Sequence, residues 1–563
     1  MKIFRIRLFL VLSLFITIAL ILGGRLWYLF TVQKKFLEQQ GDARTVRTVT
    51  IPAYRGMILD RYEQPLAVST AVATVWFNPT IILKDDNIDS YNYEELTKIL
   101  ELPKNYLKNK ILDNKTKEFV YLKRQVAPDI AESVEKLKLP GIFIKKEFKR
   151  YYPNSEVTAH ITGFTSIDEV GQEGVEHLLE NNLQGKPGRQ QVIKDRLGRI
   201  VKTIKQDLVA KPGQDVVLSI DLRLQYLTYK SLKETMDKHA AEAGIAIILD
   251  ISNGEILALA NQPSFNPNDR IALAPNELRN RAVTDLFEPG SLMKPLSMAA
   301  ALSTGKFKED QILNTNPGFM KVGTKIVRDV HNYGELDLKG IIKKSSNVGI
   351  TKLTLASEPS NLINFLYNLG FGEPTSAYLL GEAGGWINEI KTHEDFKLAT
   401  LAFGYGIAVT PLQLIQAYSV IGNRGKFIPV TMFKHNNDEL TNNTITPKQV
   451  MNGQVADKIL SMLNGVMQKD GTGRTAMIEH YESAGKTGTT RRLTAHGYDE
   501  TKHNSMFIGM APYPNPRLAM LVFIIEPRKN EYYGGAVAGP VFKDVMSRAL
   551  QLYGISPKEQ NKG

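Results

Sequence analysis

From Leu8 to Gly24 no side chain can ionise, and the apolar run resumes at Leu26, Trp27, Tyr28, Leu29 and Phe30. A helix of that length crosses a hydrocarbon layer of about 30 Å, so residues 8–30 are predicted to span a membrane. Lys2, Arg5 and Arg7 precede the run. By the positive-inside rule they place residues 1–7 in the cytoplasm and the remainder outside. No small-x-small cleavage signal follows, which predicts a retained signal anchor. Arg25, near the outer end, reads equally as a side chain snorkelling to the interface and as a contact to a second membrane protein.

Beyond the anchor, Gln33 to Ala43 predicts a short polar helix and Arg44 to Ile51 a β-branched strand. Short strand-like runs such as Ala73–Phe77 then alternate with helical stretches such as Tyr93–Leu100 through residue 215, which predicts a mixed α/β module over 31–214. Turn-rich Gly185-Lys186-Pro187-Gly188 and Lys211-Pro212-Gly213 place a boundary near 210–215. A second domain, 215–555, is predicted to open with a strand from Asp215 to Ile220 and a long amphipathic helix, Leu222–His239. Two apolar runs, Gly244–Leu249 and Glu255–Ala260, flank Asn253-Gly254, a strong hairpin signal. Helical sequence from 291 to 420 separates this hairpin from the strands Ser505–Met510 and Leu518–Ile525. The simplest fold is one antiparallel sheet built from both ends of the domain, covered by helices, with an all-helical insertion. A polar tail, 556–563, ends the chain.

Composition changes this picture little. The 563 residues are 43% hydrophobic and 23% charged, ordinary for folded domains. The absence of cysteine excludes disulfides and thiolate chemistry. The net charge of +12 is not clustered in a stripe, so it is no case for nucleic acid and suits anionic lipid or an acidic wall polymer equally well.

Candidate chemistry begins at Glu288-Pro289-Gly290-Ser291-Leu292-Met293-Lys294-Pro295, where a Pro-Gly turn leads into a serine at the start of an Ala-rich helix. Positions i and i+3 share a helix face, so Lys294, if neutral, can act as base for the Ser291 hydroxyl. The pattern Ser-x-x-Lys is weak by itself, since Ser133 to Lys136 and Ser303 to Lys306 match it too. Its company raises it: Ser345-Ser346-Asn347 opens an apolar helix, and Lys486-Thr487-Gly488-Thr489 precedes strand-like sequence. An edge strand there could receive an extended peptide by β-addition. Gly488, lacking Cβ, would let that peptide lie close, while Lys486 would hold a carboxylate or the network around Ser345. His160 and His177 read as ordinary polar residues, and the reading calls for no metal and no cofactor.

Three such motifs in this order resemble the penicillin-recognising serine enzymes. The stretches Tyr54–Arg61, Arg150–Pro153, Ala159–Phe164, Gly171–Glu176, Val409–Gln413 and Tyr532–Val537 are similar to class B penicillin-binding proteins, most of all to the division-specific transpeptidases of the FtsI type. The resemblance implies an α/β (α+β) chain: a transmembrane anchor, a mixed pedestal or dimerisation-type domain, and a penicillin-binding transpeptidase domain whose antiparallel sheet is flanked by helices and a helical subdomain. It implies septal peptidoglycan D,D-transpeptidation, with Ser291 as acyl acceptor, Lys294 as its base, Ser345 and Asn347 lining the cleft, and Lys486, Thr487, Gly488 and Thr489 as the substrate-binding strand. Backbone N–H groups of Ser291 and Thr489 would form the oxyanion hole. Implied partners are stem peptides ending in D-Ala-D-Ala, an acceptor amine, β-lactams as covalent inhibitors, an FtsW-type membrane glycosyltransferase and other divisome proteins.

Rival readings differ in the second acceptor or in the site of action. A membrane-bound D,D-carboxypeptidase or β-lactamase would use water, and a large pedestal argues against it. A β-lactam sensor would need cytoplasmic signalling sequence, for which the residues before Leu8 are too few. A noncatalytic scaffold would not require Ser291, Lys294 and Lys486 together. An elongation-specific class B enzyme shares every feature except overall closeness of sequence.

Overall fold

The computed structural model describes residues 1–84, 93–195, 200–269, 273–375, 377–391, 393–435, 446–494, 497–529 and 531–557. The chain forms two compact units. One contains residues 1–55, 70–149 and 184–213, the other residues 56–69, 150–183 and 214–563. Residues 558–563, most of the expected polar tail, lie outside the described residues.

In the first unit, a 30-residue helix, Lys2–Thr31, has a mean hydropathy of 2.6 over its most apolar window, and none of that window is buried. It is a candidate membrane anchor, extending somewhat beyond the apolar run at its N-terminus. The polar helix that follows, Lys34–Thr45, runs two residues further than the sequence suggests, and the strand begins at Val46. This strand, Val46–Ile51, pairs with Gly188–Lys194, which in turn pairs with Ile200–Leu208, all antiparallel. Separately, residues 73–77 pair with Val120–Val126. Val75, Phe77, Leu96, Leu107, Leu122 and Val134 form the core beneath that pair.

In the second unit, the segment after residue 214 departs from expectation. Only Val216–Val217 of the predicted strand Asp215–Ile220 is a strand, parallel to Ile58–Leu59. Its neighbour is two residues long, so the ladder cannot extend, and Leu218 instead makes a single bridge to Phe433. The next helix, α1 (Leu222–His239), matches the sequence reading: Asp221 caps it by accepting the Arg223 N–H, and Ala240 ends it in a left-handed conformation.

Five strands, β1 (Ala243–Asp250), β2 (Ile256–Gln262), β3 (Ala484–Thr494), β4 (Gly497–Ala511) and β5 (Leu518–Ile525), form an antiparallel sheet in the order β2-β1-β5-β4-β3. Asn253-Gly254 makes the β1–β2 turn: Asn253 Oδ1 accepts the Glu255 N–H at 3.0 Å, and Gly254 has φ +76°. Both faces of the sheet are covered, so β1 and β5 are buried throughout and read as continuous apolar runs. Period-two alternation divides their side chains between two cores. Ala246, Ile248, Val522 and Ile524 pack with Leu224, Leu232 and Phe542. Ile245, Ile247, Leu521 and Phe523 pack with Leu296, Leu414 and Ile415.

The insertion between the sheet's two halves is helix-rich but not all-helical. Among the short antiparallel pairs that interrupt it are Phe319–Val322 with Lys325–Arg328 and, enclosing that hairpin, Ile312–Asn314 with Glu335–Asp337. Their side chains are largely exposed, so no apolar run announces them.

Candidate active site

Ser291 lies in a single 3₁₀ turn, Gly290–Leu292, that leads directly into α2 (Lys294–Ser303). The sequence reading placed both residues in one helix; here Lys294 begins the helix and Pro295 follows it. Gly290 has φ +54°, and a Cβ there would sit 2.3 Å from Thr490 Cγ2. Only glycine brings the serine turn this close to β3. Below the turn, the buried Tyr418 hydroxyl donates to the Leu292 carbonyl at 2.6 Å.

Lys294 is buried, and its amine donates to Ser345 Oγ at 3.0 Å and also to the Ser345 carbonyl. No hydrogen bond joins Lys294 to Ser291 among the described residues. Ser345 sits between two helices with φ +58°. It ends the helix Leu338–Lys344, and Ser346 caps α3 (Asn347–Leu355) by accepting the Gly349 N–H. Lys486 reaches the same hydroxyl from β3, donating to Ser345 Oγ and to the Thr487 carbonyl, each at 3.1 Å. Ser345 Oγ therefore accepts from both lysines, which occupies its lone pairs and leaves its own proton to donate.

Two amines around one hydroxyl in a buried site cannot both carry charge cheaply. Burial pushes the Lys294 amine well below its ordinary 10.5, Lys486 lowers it further, and Asp329 pulls it partway back. Burial brings Lys486 down to about 7. Lys294 is thereby suited to hold a free lone pair at neutral pH.

The strand β3 is the sheet's edge, paired only with β4 among the described residues. Lys486, Gly488 and Thr490 are buried, while Thr487 and Thr489 are half-buried. Thr489 Oγ1 accepts the Gly534 N–H at 3.0 Å, and the Thr487 hydroxyl donates to Thr472 Oγ1 at 3.0 Å. A Cβ at Gly488 would lie 2.9 Å from Leu292 Cγ, so this glycine lets the residue after Ser291 pack against the strand.

Asn347 is brought to the same region, but its side chain donates to the Arg328 carbonyl at 2.7 Å. Its backbone N–H donates to Asp329, which also accepts from the Ser346 hydroxyl at 2.6 Å and the Val348 N–H at 3.0 Å. Asp329 therefore fixes the start of α3, and the sequence reading missed it. An acid before a helix is a capping signal, but here it lies seventeen residues before Ser346 on another element.

Other sequence candidates fall elsewhere. Ser133 donates to the Asp129 carbonyl within its own helix, and Lys136 pairs with Glu132. His160 is buried, with Nε2 2.7 Å from the Glu277 carbonyl, and burial lowers it to about 4. His177 Nδ1 lies 3.1 Å from the Gly171 carbonyl. The landmark Arg150 forms a buried ion pair with Glu176 at 2.6 Å.

Two family models match this chain. Residues 244–547 match the penicillin binding protein transpeptidase domain and residues 50–218 the penicillin-binding protein dimerisation domain. A relative from Pseudomonas aeruginosa, described as probable peptidoglycan D,D-transpeptidase PbpC, is 39% identical, over 98% of this chain and 96% of its own. The peptidoglycan D,D-transpeptidase FtsI of Escherichia coli is 38% identical, over 96% of this chain and 90% of its own. Among solved structures, a peptidoglycan synthetase from Bifidobacterium adolescentis is 26% identical with a TM-score of 0.70, covering 92% of this chain and 98% of that one.

Proposed function

The chain belongs to the class B penicillin-binding proteins, transpeptidases with a dimerisation domain, and on that premise we propose that it cross-links septal peptidoglycan through an acyl-serine formed on Ser291. The observation that supports this most strongly is the convergence of Lys294 and Lys486 on Ser345 Oγ beside an edge strand.

The donor stem peptide lies extended against β3, with its terminal carboxylate toward Lys486, Thr487 and Thr489. Ser291 Oγ attacks the carbonyl of the penultimate D-Ala, and neutral Lys294 takes the hydroxyl proton. Backbone N–H groups of Ser291 and Thr489 stabilise the oxyanion. Collapse breaks the amide, and terminal D-Ala leaves as an amine after taking a proton relayed from Lys294 through Ser345. An amine from a second stem peptide then attacks the acyl-serine, loses its proton to the same relay and restores Ser291. Asn347 lines the cleft beside the acyl group. A β-lactam enters the first step and leaves Ser291 acylated.

The helix Lys2–Thr31 anchors the enzyme with its N-terminus inside and its catalytic domain outside the cytoplasmic membrane. An FtsW-type glycosyltransferase and other division proteins are the partners this role requires. The similarity to FtsI proteins at 36–38% identity supports the division role.

Incubating the full chain with a fluorescent penicillin should place a persistent label on the peptide containing Ser291, and Ser291→Ala should remove it without changing the melting temperature. Rapid release of label would indicate a β-lactamase, and label on the Ala variant would overturn the assignment. Depletion in the source cell should block septation and give filaments; rounded cells would indicate elongation instead.

A further inference from the structure

Glu288 lies three residues before Ser291, outside all three motifs. Its Oε2 accepts a 2.6 Å hydrogen bond from the Tyr498 hydroxyl, and its Oε1 accepts the Gly406 N–H at 3.0 Å. Tyr498 is on β4 opposite Leu493 of β3, the strand that carries Lys486 to Thr489. One carboxylate thus holds the serine segment, the loop at Gly406 and the hairpin of the edge strand.

An edge strand has a single neighbour, so sheet pairing alone does not set its distance from Ser291. At the near end that distance is set by packing, where Leu292 fills the space over Gly488 and Gly290 meets Thr490. Towards the hairpin's end, Tyr498 to Glu288 is a direct bond between the serine segment and β4. The carboxylate's own position is well determined. Phe287 and Val409 exchange both backbone hydrogen bonds at 3.0 Å, and the Gly290 N–H donates to the Gly404 carbonyl at 3.1 Å. The Tyr405 ring meets Tyr498 edge-to-face at 5.9 Å. The hairpin is tied down separately by Arg492, which donates to both oxygens of Glu242 at 2.6 and 2.9 Å.

We propose that Glu288 and Tyr498 form a latch across the cleft that holds β3 at reacting distance from Ser291. Both are positioning residues. Substrate affinity resides in the strand itself, whereas attack requires the bound carbonyl to lie about 3–3.5 Å from the serine oxygen. Opening the latch therefore slows acylation without weakening binding. The inference rests on the assignment of Ser291 as nucleophile.

The test measures acylation of the full-length chain in detergent by a fluorescent penicillin over a concentration series, for the parent, Tyr498→Phe, Glu288→Gln and the double variant. Each single change is expected to lower the saturating acylation rate about tenfold while the half-saturating concentration stays within about twofold. Melting temperatures should agree within about 2 °C. Because Tyr498 acts through Glu288, the double variant should be no slower than the slower single variant. Unchanged saturating rates, losses that multiply in the double variant, or losses matched by a fall in melting temperature would overturn the latch. A parent chain that takes no label would overturn the nucleophile assignment and the latch with it.

Discussion

Two lysines and one serine hydroxyl share a buried space in which a full positive charge is costly, and the electrostatic consequence is measurable. Lys486 is lowered by burial to about 7 from its ordinary 10.5. Between those values the unfolded chain binds a proton that the folded chain does not, so stability rises with pH across that window. The contribution is complete above 10.5 and is lost as pH falls through 7. Lys486→Met removes the titrating group. The variant should melt above the parent near pH 7, and the gap should close as pH approaches 10; a pH-independent gap would contradict this, as read by thermal melts at several pH values. Ser291, Lys294, Ser345 and Lys486 stood out in the sequence as candidates because acyl transfer of this kind needs a hydroxyl, an amine able to be neutral and a second donor network. Glu288 and Tyr498 were not, because an acid and a tyrosine 210 residues apart leave no pattern until the chain folds.

Among the elements, legibility followed hydrophobic periodicity. The helix Leu222–His239, the turn at Asn253-Gly254 and the strand Leu518–Ile525 appear where the sequence placed them. Each has a strong local signal: a capping aspartate, a left-handed glycine, or an apolar run that only a doubly covered strand can use. The polar hairpins of the insertion had no such signal, yet one of them ends at Asp329, which holds the start of α3 through three donors. Asp329→Asn replaces one acceptor oxygen with a donor group. It should cost about 1–3 kcal/mol in stability, seen as a lower melting temperature. It should also slow acylation, because Ser345 and Asn347 are attached to that helix start. A folded variant with parental acylation would show that the α3 terminus keeps its place without the carboxylate.

At the scale of the whole molecule, the chain passes between the two compact units at 55/56, 69/70, 149/150, 183/184 and 213/214. Residues 56–69 and 150–183 thus belong with the unit containing Ser291, Ser345 and Lys486. Arg150, Tyr152 and Glu176, from two of the stretches that carry the family resemblance, form a buried hydrogen-bonded group in that unit. The exposed apolar helix Lys2–Thr31 has no core of its own to join. Deleting it should move the protein from the membrane to the soluble fraction on sedimentation; a truncated chain that still pellets with membranes would require another attachment.

By itself, the sequence determined the apolar N-terminal helix, the antiparallel sheet assembled from distant strands, and the identity and order of the candidate site's serines and lysines. These follow from interactions whose signals are local: apolar period, turn chemistry and side-chain type. Tertiary structure alone decided that Lys294 donates to Ser345, that Gly488 makes room for Leu292, and that Asp329, Glu288 and Tyr498 hold the cleft's elements. Those arrangements arise from contacts between residues far apart in the chain, where packing geometry selects one partner among many chemically equivalent ones.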